Sequence, residues 1–561
     1  MRWPSGVPDA GWAWLRDGTF IGRFSRTLVW VEGFMSQNPM HKRGLYLGVL
    51  AQRAAVKHGS VLLTLDHDLD VLPEAGRRIT VNELAHYVVD LAGRLAAAGV
   101  RAGDHLVIYK RPNFDSWVLG TAAARVGAVP VMLSPALDAP TVAALMRRLG
   151  RPRLLTDAAK LKLLAGEDLD ALAESVITVA DPGADAGDGV VSLADLAGSA
   201  GVQSVFTGLD EPAMITHTSG TTGLPKLVVH TARTMRTRLR PQLFMLGIMP
   251  RRETVAISIP FVHSRLFAAM ALVLMKGMPT ILVNNHDPEE VAQFFVKNRP
   301  GLIEALPNSF LAWEGLVNDP RKPFASVKYF SSTFDAIHPR TVRRLLDSSK
   351  RRAPQFFQIY GQSEVGPAVG RPYYRRHARE MDGRCVGFAL PGSAKVRVVS
   401  QNERAVSESN PGFIEVRWDG IAKAYHGEQD RYDENVNDGW WRTGDVGYRT
   451  KLGCLHMLDR EIDTIPGVGS SLEIEDTVLD RLDELVELVV VQGPDASAVP
   501  IVCTREDKPI DTGRWRQATG DWPQLAEPVQ IPMAELPRTA TLKTRRVELS
   551  RILHDRLQEQ P

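Results

Sequence analysis

Alternating helix and strand patterns, which begin near residue 45, constrain the fold of this chain more than any other feature of its sequence. The run Thr80 to Glu83 is a capping box, because its hydroxyl and carboxylate can each satisfy a free amide at a helix start, and apolar residues follow it at helical spacing. Repeated strand–helix–strand units form parallel sheets that helices cover on both faces. The pattern predicts strands at 105–109, 129–133, 255–259, 280–283, 302–306, 327–330 and 356–360.

We therefore predict the α/β fold class, with a large N-terminal domain at residues 45–459. One sheet cannot easily hold so many strands, so this domain is expected to contain two stacked α/β subdomains. After residue 410 the pattern changes to short strands with turn signals, which indicates a small β-rich subdomain. Residues 460–561 are predicted to form a small α+β C-terminal domain, and residues 1–44 an arm that packs on the body.

Composition excludes several classes of protein. A chain of 561 residues that is 44% hydrophobic and 24% charged is typical of globular proteins rather than of disordered or fibrous ones. Its 67 basic and 65 acidic residues give a net charge of +2, so neither nucleic acid nor an anionic membrane is predicted as a partner. The longest apolar run, 266–275, is too short for a membrane span, and the first residues lack a secretory signal, so we expect a cytoplasmic protein.

Cysteine is sparse in this sequence. The three cysteines, Cys385, Cys454 and Cys503, lie far apart along the chain and form no Cys-x-x-Cys motif. The sequence therefore predicts neither a disulfide framework nor a zinc site built from cysteines.

The strongest local motif is a loop rich in glycine and hydroxyl groups that ends at Lys226. Its glycines, Gly220 and Gly223, allow a tight turn that brings backbone amides close to an anion, and the lysine adds positive charge. The run is not a Walker A loop, because Pro225 stands where the second glycine belongs. Side-chain hydroxyls for a polyphosphate come from Thr218, Ser219, Thr221 and Thr222.

The run from Thr218 to Lys226 resembles the phosphate loop of the adenylate-forming superfamily, which includes acyl-CoA synthetases, non-ribosomal peptide adenylation domains and luciferases. The segment 359–365 resembles a second motif of that superfamily. The resemblance implies that Tyr360 packs on adenine, that the hydroxyl of Ser363 meets a phosphate, and that Glu364 helps to hold Mg²⁺, a hard ion that prefers carboxylate oxygen.

Three further segments follow in the order that the superfamily requires. In the segment 439–445, which resembles its Thr-Gly-Asp motif, Asp445 is expected to accept both ribose hydroxyls. In the hinge-like segment 458–463, Arg460 is expected to contact ribose or phosphate. In the segment 331–335, Thr333 is expected to face the nucleotide, while Phe334 crowds a wall where relatives carry small residues.

The segment 537–546 resembles the part of the superfamily that carries the catalytic lysine, here Lys543. An ammonium group against the α-phosphate would neutralise the charge that builds as pyrophosphate leaves. The resemblance thus implies ATP and Mg²⁺ as cofactors, catalytic roles for Lys543, Glu364 and Ser363, and a small C-terminal domain that rotates between two half-reactions.

The acid substrate is only weakly constrained. The segment 260–264 resembles the stretch that lines the acyl pocket, so His263 is expected to border the substrate, and Arg265 could pair with a polar or acidic substituent. At the hinge, Ile462 stands where relatives hold a polar residue, and the loop after Gly469 is about three residues short. Glycines of the family pattern are replaced by Asp459 and Leu542.

These features predict ATP-dependent adenylation of a small-molecule aryl or acyl acid, followed by transfer to CoA or to the phosphopantetheine thiol of an acyl-carrier protein. The altered segments serve the second step, so one hypothesis is that CoA transfer is weakened, absent or replaced by another acceptor. The other is that this branch performs the same step with different residues. The alternatives are an enzyme that uses another acid or acceptor, such as nitrous acid for diazotising an aryl amine or an amine for amide formation, and a nucleotide-binding protein without catalysis. The sequence leaves the acid, the acceptor and the oligomeric state open.

Overall fold

The computed structural model describes residues 44–180, 189–218, 223–247, 249, 252–493, 495–539 and 543–558. The predicted arm at 1–44, apart from Gly44, lies outside the described residues. The same is true of Ser219, Gly220, Thr221 and Thr222 in the phosphate loop, and of Leu542.

The described strands are numbered in chain order. They are β1 (Leu62–Leu65), β2 (Arg78–Thr80), β3 (His105–Tyr109), β4 (Val129–Met132), β5 (Arg153–Thr156), β6 (Val176–Thr178), β7 (Val191–Ser192), β8 (Pro212–His217), β9 (Leu227–Thr231), β10 (Val255–Ser258), β11 (Thr280–Leu282), β12 (Leu302–Ala305), β13 (Tyr329–Ser332), β14 (Gln355–Gln362), β15 (Gly366–Tyr374), β16 (Cys385–Ala389), β17 (Lys395–Ser400), β18 (Gly412–Arg417), β19 (Ala424–Tyr425), β20 (Val436–Asn437), β21 (Trp440–Arg449), β22 (Leu455–Arg460), β23 (Leu485–Gln492), β24 (Ala498–Thr504) and β25 (Val529–Gln530).

The described α-helices follow the same convention. They are α1 (Leu50–His58), α2 (Val81–Ala97), α3 (Asp115–Val126), α4 (Ala139–Leu149), α5 (Ala158–Leu163), α6 (Leu169–Leu172), α7 (Ala232–Gly247), α8 (Ser264–Lys276), α9 (Pro288–Asn298), α10 (Pro307–Ala312), α11 (Pro339–Ser348), α12 (Arg375–Ala378), α13 (Gln429–Asp433), α14 (Ser471–Arg481), α15 (Thr512–Ala518) and α16 (Arg546–Gln558). Short 3₁₀ helices lie at Leu47–Val49, Pro73–Ala75, Glu314–Asn318, Glu461–Asp463, Arg505–Asp507 and Met533–Glu535.

Two large sheets form the body of the chain, which confirms the predicted α/β class. An eight-stranded sheet has the order β19-β9-β8-β4-β3-β5-β6-β7 and is parallel from β8 to β7. In the other sheet, parallel pairing runs through β14-β13-β12-β10-β11-β1. Their central strands read as continuous apolar runs because helices cover both faces. One apolar core joins the two sheets through α3 and α8, whose Trp117 and Phe267 rings lie 6.3 Å apart.

The predicted β-rich segment adjoins the second sheet. Its strands continue the second sheet in the order β15-β16-β22-β21-β18-β17, so that the whole sheet counts fourteen described strands. Val369 and Gly370 of β15 pair in antiparallel register with Ala389 and Phe388 of β16. The backbone groups at the sheet edge are thereby satisfied by the next strand, and the two regions share one sheet.

The cysteine prediction is wrong for two of the three residues. Cys385, at the start of β16, and Cys454, just before β22, are joined in a disulfide across a sequence separation of 69 residues. Adjacent antiparallel strands bring the two side chains together, and sequence spacing carries no trace of this pairing. Cys503 is free and buried, as a small apolar side chain of the C-terminal sheet.

The C-terminal part consists of a three-stranded sheet, β23-β24-β25, with α14, α15 and α16. It is held against the body by α11: the buried guanidinium of Arg340 donates hydrogen bonds to the carbonyls of Leu479 (2.5 Å) and Leu485 (3.0 Å). His338, just before the same helix, bonds to Asp476 (2.7 Å). Among the described residues, no helix combines the length and the apolar character that crossing a membrane requires.

Candidate active site

Two adjoining cavities lie where the carboxyl end of the second sheet meets the C-terminal part. The larger cavity encloses about 420 Å³ and the smaller one about 130 Å³. Predicted site residues that line the larger cavity are Thr218, Gly223, Lys226, Tyr360, Ser363, Glu364, Asp445, Arg460 and Lys543. Predicted site residues that line the smaller cavity are His263, Arg265, Thr333, Ser363 and Lys543. Thr333, which was expected to face the nucleotide, thus lies on the smaller cavity instead.

Asp445 stands at the centre of a hydrogen-bonded group in the larger cavity. Its Oδ2 accepts hydrogen bonds from the phenol of Tyr360 (2.5 Å) and the amide of Gln362 (3.1 Å). On the adjacent strand Arg460 is its direct register partner. Burial raises the pKa of Asp445, while the charge of Arg460 and the bond from Tyr360 act in the opposite direction. The arrangement presents a carboxylate and an aromatic face side by side, as a ribose and its base require.

Glu364 forms a second anchored carboxylate in the same cavity. Its Oε1 accepts a hydrogen bond of 2.7 Å from the phenol of Tyr425. The ammonium of Lys226 lies 4.8 Å from the centre of the Tyr425 ring and 3.4 Å from its hydroxyl. Burial lowers the pKa of Lys226, and the charge of Glu364 opposes this shift. One Glu364 oxygen is therefore fixed by tyrosine.

The two ends of the phosphate loop are joined by backbone contacts. Thr218 N donates to the carbonyl of Lys226 (3.0 Å), and Lys226 N donates to the hydroxyl of Thr218 (3.2 Å). These bonds continue the pairing of β8 with β9 and hold Lys226 at the cavity wall.

A buried arginine fixes the segment that carries Ser363 and Glu364. The guanidinium of Arg238, on α7, donates to the carbonyls of Ser363 (3.0 Å), Glu364 (2.6 Å) and Gly420 (2.7 Å). Burial lowers its pKa to about 10, so it remains charged at neutral pH. Arg238 thus sets the position of both side chains without contacting the larger cavity itself.

His263 links the two cavities through Ser363. As the N-cap of α8, its Nδ1 accepts a hydrogen bond of 3.0 Å from the backbone amide of Arg265. The proton therefore sits on Nε2, which lies 3.3 Å from the hydroxyl of Ser363. Burial, reinforced by nearby His217 and by cations, lowers the pKa of His263 to about 3. This imidazole is a neutral donor that orients the Ser363 hydroxyl, and it is unsuited to act as a base at neutral pH.

Arg265 lies in the smaller cavity, where it is already paired. Its guanidinium makes a two-point ion pair with Glu304 of β12, with Nη2 at 2.6 Å, and also donates to Gln242 of α7. Glu304 neutralises the charge that was expected to meet an acidic substituent. The pair offers a substrate polar N–H groups rather than a net positive charge.

Lys543 reaches the junction of the two cavities from the C-terminal part. Thr539 N donates to the carbonyl of Lys543 (2.8 Å), and Lys543 N donates to the hydroxyl of Thr539 (3.1 Å). Burial lowers the pKa of the Lys543 ammonium, and the carboxylates of Asp335, Asp445 and Glu364 oppose that shift. The structure thus brings together the three groups that the sequence places in distant segments: Glu364, Asp445 and Lys543.

Phe334 lines both cavities and has an unusual backbone. Its φ is +87°, a conformation that favours glycine and costs a bulky residue on the order of 1–3 kcal/mol. The ring lies edge-to-face on the imidazole of His263, with 4.5 Å between centroids. The ring thus lies between the two cavities.

The altered hinge residues have distinct environments. Ile462 is 56% exposed, whereas Asp459 is buried and accepts a hydrogen bond of 2.9 Å from the amide of Ser471. Burial raises the pKa of Asp459 to about 7. In the shortened loop, Ser470 is the N-cap of α14, with a 3.3 Å bond from Glu473 N to its hydroxyl. The helix α14 therefore begins directly after Ser470.

Sequence analysis missed several residues that shape the site. Tyr425 anchors the carboxylate of Glu364, and Gln362 anchors that of Asp445. Arg238 holds the backbone at Glu364, and Glu304 neutralises the charge of Arg265. Tyr425 and Glu304 lie in β19 and β12, outside any recognisable motif, and Arg238 is one of several arginines in α7. Only Gln362, which lies inside the segment 359–365, was within reach of motif comparison.

Comparison with known proteins shows the family of this chain. Residues 51–426 match the family model described as "AMP-binding enzyme". The chain is 43% identical over 529 residues to 3-amino-2-hydroxy-4-methoxybenzoate diazotase of Streptomyces cremeus, covering 91% of this chain and 96% of the relative. It is 26% identical over 434 residues to 3-aminoavenalumate diazotase of a Streptomyces species, covering 74% of each chain.

A solved structure shares the fold. A benzoate CoA ligase from Burkholderia xenovorans LB400 superposes with a TM-score of 0.75 at 17% identity, covering 90% of this chain and 99% of that one. The family match extends over more than half of the chain, and the full-length similarity to a relative above 30% identity agrees with it. This chain therefore belongs to the AMP-binding enzyme family and is an adenylate-forming enzyme.

Proposed function

We propose that this enzyme is an ATP-dependent diazotase that adenylates nitrite, the conjugate base of nitrous acid, and transfers the nitroso group to an aryl amine of the aminobenzoate class. The observation that carries the proposal is the 43% identity to a 3-amino-2-hydroxy-4-methoxybenzoate diazotase over nearly the full length of both chains. The two adjoining cavities, of about 420 and 130 Å³, support it, because the reaction needs a site for the nucleotide beside a smaller site for the amine.

In the first step, an oxygen of nitrite bonds to the α-phosphorus of ATP, and the bond from that phosphorus to the bridging oxygen breaks. Pyrophosphate leaves, and nitrosyl-AMP remains. Lys543 lies at the junction and would neutralise the negative charge that grows on the α-phosphate. The Ser363 hydroxyl, held by His263, would donate to the same phosphate.

The larger cavity would hold the nucleotide. Asp445 would accept the ribose hydroxyls once the nucleotide displaces the phenol of Tyr360, whose ring would then pack on adenine. Lys226 and the joined ends of the phosphate loop would bind the terminal phosphates. Arg460 adds positive charge beside Asp445.

The larger cavity also fits a Mg²⁺ ion beside the phosphates. Glu364 supplies the hard carboxylate oxygen that this ion prefers, with one of its two oxygens already fixed by Tyr425. When bound, Mg²⁺ would neutralise phosphate charge as pyrophosphate departs.

In the second step, the amine nitrogen attacks the nitroso nitrogen, the N–O bond to AMP breaks, and a proton leaves the amine. The resulting N-nitrosamine tautomerises to a diazohydroxide, which loses hydroxide to give the diazonium ion. The smaller cavity would hold the aryl ring against Met235, Pro260 and Ala268, and Arg265 would offer N–H groups to its polar substituents.

The experiment incubates the enzyme with ATP, Mg²⁺, nitrite and 3-amino-2-hydroxybenzoate or a related amine, and follows AMP, pyrophosphate and azo coupling to a naphthol. We expect pyrophosphate release that depends on nitrite, and an azo dye that depends on both nitrite and amine. Pyrophosphate release that instead requires a carboxylic acid, followed by thioester formation with added CoA, would contradict the proposal. Lys543→Ala should slow the formation of all products about 10²- to 10³-fold.

A further inference from the structure

We infer that Phe334 selects the acid that is adenylated: its ring narrows the junction between the two cavities so that a small oxyanion reaches the α-phosphate and an aryl carboxylate does not. This inference rests on the proposed function, since it concerns the acid of the same site. It makes Phe334 a specificity-determining residue and gives it no part in bond making.

The junction is formed by the residues that line both cavities. They are Phe334, Ile359, Gly361, Gln362, Ser363 and Lys543. On the side of β14 the backbone itself is tightly packed, because a Cβ on Gly361 would lie 2.1 Å from the carbonyl oxygen of Gly366. Among these residues, Phe334 is the one aromatic side chain and Gly361 has no room for a larger one, so the ring of Phe334 is the group that we expect to set the width of the passage.

The ring of Phe334 is held in place by a chain of contacts. It lies 4.5 Å from the imidazole of His263, which is itself fixed at 3.0 Å by the amide of Arg265 and at 3.3 Å by the hydroxyl of Ser363. Phe334 also packs against the apolar core that joins the two sheets. The ring therefore forms a fixed wall of the junction.

The backbone of Phe334 indicates that the ring is retained for its position. With φ at +87°, this turn after β13 is a place where glycine fits without strain. A strained conformation that persists beside a reaction site points to a function for the side chain that needs it. Glycine would allow the same turn without strain, but only the ring of Phe334 would close the passage between the two cavities.

The chemistry of the proposed reaction fits a narrow junction. In nitrosyl-AMP the electrophilic nitrogen is the first atom beyond the phosphorus-bound oxygen, so it lies within the junction, where an amine in the smaller cavity can attack it. An aryl carboxylate would have to pass its carboxyl carbon and part of its ring through the same space. The ring of Phe334 would obstruct the aryl carboxylate but leave room for nitrite, an anion of three atoms.

The test compares wild type with Phe334→Gly, measuring kcat/KM for pyrophosphate release with nitrite and with benzoate. We expect the ratio of benzoate to nitrite efficiency to rise about tenfold or more in the variant, because the benzoate KM falls as the passage opens. Phe334→Asn is a second variant, since asparagine tolerates positive φ and is smaller than phenylalanine. Lys322→Gly is the matched control: Lys322 is exposed, lines neither of the two cavities, and also has positive φ, at 55°.

Each outcome decides between the proposals. If wild type is nitrite-dependent and folded Phe334→Gly and Phe334→Asn keep its acid preference, the role of Phe334 is overturned and the diazotase proposal stands. If wild type releases pyrophosphate with benzoate and ignores nitrite, the diazotase proposal fails, and the selection of nitrite by Phe334 fails with it. A ratio that rises in both Phe334 variants and is unchanged in Lys322→Gly supports both proposals.

Discussion

The phenol of Tyr360, on β14, donates a hydrogen bond of 2.5 Å to the carboxylate of Asp445, on β21. The two residues come from segments 85 positions apart, and each was expected to bind a different part of one nucleotide. The carboxylate of Asp445 is thus held in place, and buried, by Tyr360 next to it.

This relationship predicts the effect of Asp445→Asn on nucleotide affinity. An amide lacks the charge that strengthens hydrogen bonds to the ribose hydroxyls, so we expect the Kd for ATP, measured by calorimetry, to rise about tenfold or more. Asp438→Asn is the matched control, because Asp438 is exposed just before the same strand and lies outside both cavities. Equal ATP affinity in wild type and Asp445→Asn would contradict the role given to Asp445.

The Lys543→Ala variant should slow catalysis while leaving ATP binding largely unchanged. Because the ammonium is expected to stabilise charge mainly in the transition state, its loss should slow pyrophosphate release about 10²- to 10³-fold while ATP affinity changes little. The control is Lys508→Ala, in the same C-terminal part, whose side chain is 74% exposed. A variant that lost ATP affinity and pyrophosphate release in proportion would show that Lys543 acts only in ground-state binding.

His338 predicts a pH dependence for the contact between the C-terminal part and the body. Burial lowers the pKa of His338, but hydrogen bonds to Asp476 and Glu487 outweigh this effect and raise the pKa to about 10. The docked state therefore favours the protonated imidazole. Protonation of His338 therefore stabilises the contact fully below the ordinary histidine pKa of about 6.5, and this stabilisation is lost as the pH rises through 10.

The corresponding measurement is the melting temperature between pH 6.5 and 10. We expect it to fall with pH in wild type, and to fall less steeply in His338→Gln, which cannot titrate. His86→Gln, which changes an exposed histidine, should behave like wild type. Parallel curves for wild type and His338→Gln would refute the contribution of this contact.

Arg238→Met tests the brace behind Ser363 and Glu364. Methionine fills much of the space but leaves the carbonyls of Ser363, Glu364 and Gly420 without their donors, so we expect the free energy of unfolding to fall by about 3 kcal/mol or more. Arg240→Met, an exposed position on the same helix, should have little effect in the same chemical denaturation experiment. A change below about 0.5 kcal/mol in Arg238→Met would contradict the bracing role.

Local patterns were sufficient to predict the elements that build the body. The strand at 105–109 was predicted with the bounds that β3 has, and the capping box at Thr80 and Glu83 is formed at the start of α2. These features depend on residues close in sequence, whose periodicity and capping chemistry determine the local structure. Motif order likewise predicted which segments supply Glu364, Asp445 and Lys543, because these residues are recognised within short runs.

Contacts between distant segments were beyond the reach of sequence patterns. Nothing near Cys385 indicates that Cys454 lies beside it, and nothing near Arg265 indicates that Glu304 neutralises it. The first pairing arises from sheet order, which places β16 beside β22, and the second from the packing of α8 beside β12. Thr333 lines the smaller cavity, a placement that likewise depends on packing between distant segments.

Product analysis with ¹⁵N-labelled nitrite tests the central claim most directly. The enzyme is supplied with ATP, labelled nitrite and an aminobenzoate, and the azo-coupled product is analysed by mass spectrometry while nucleotides are separated by chromatography. We predict one labelled nitrogen in each diazo product and an equal amount of AMP, with pyrophosphate as the other product. Formation of ADP and orthophosphate, or of AMP without label in any diazo product, would contradict the account.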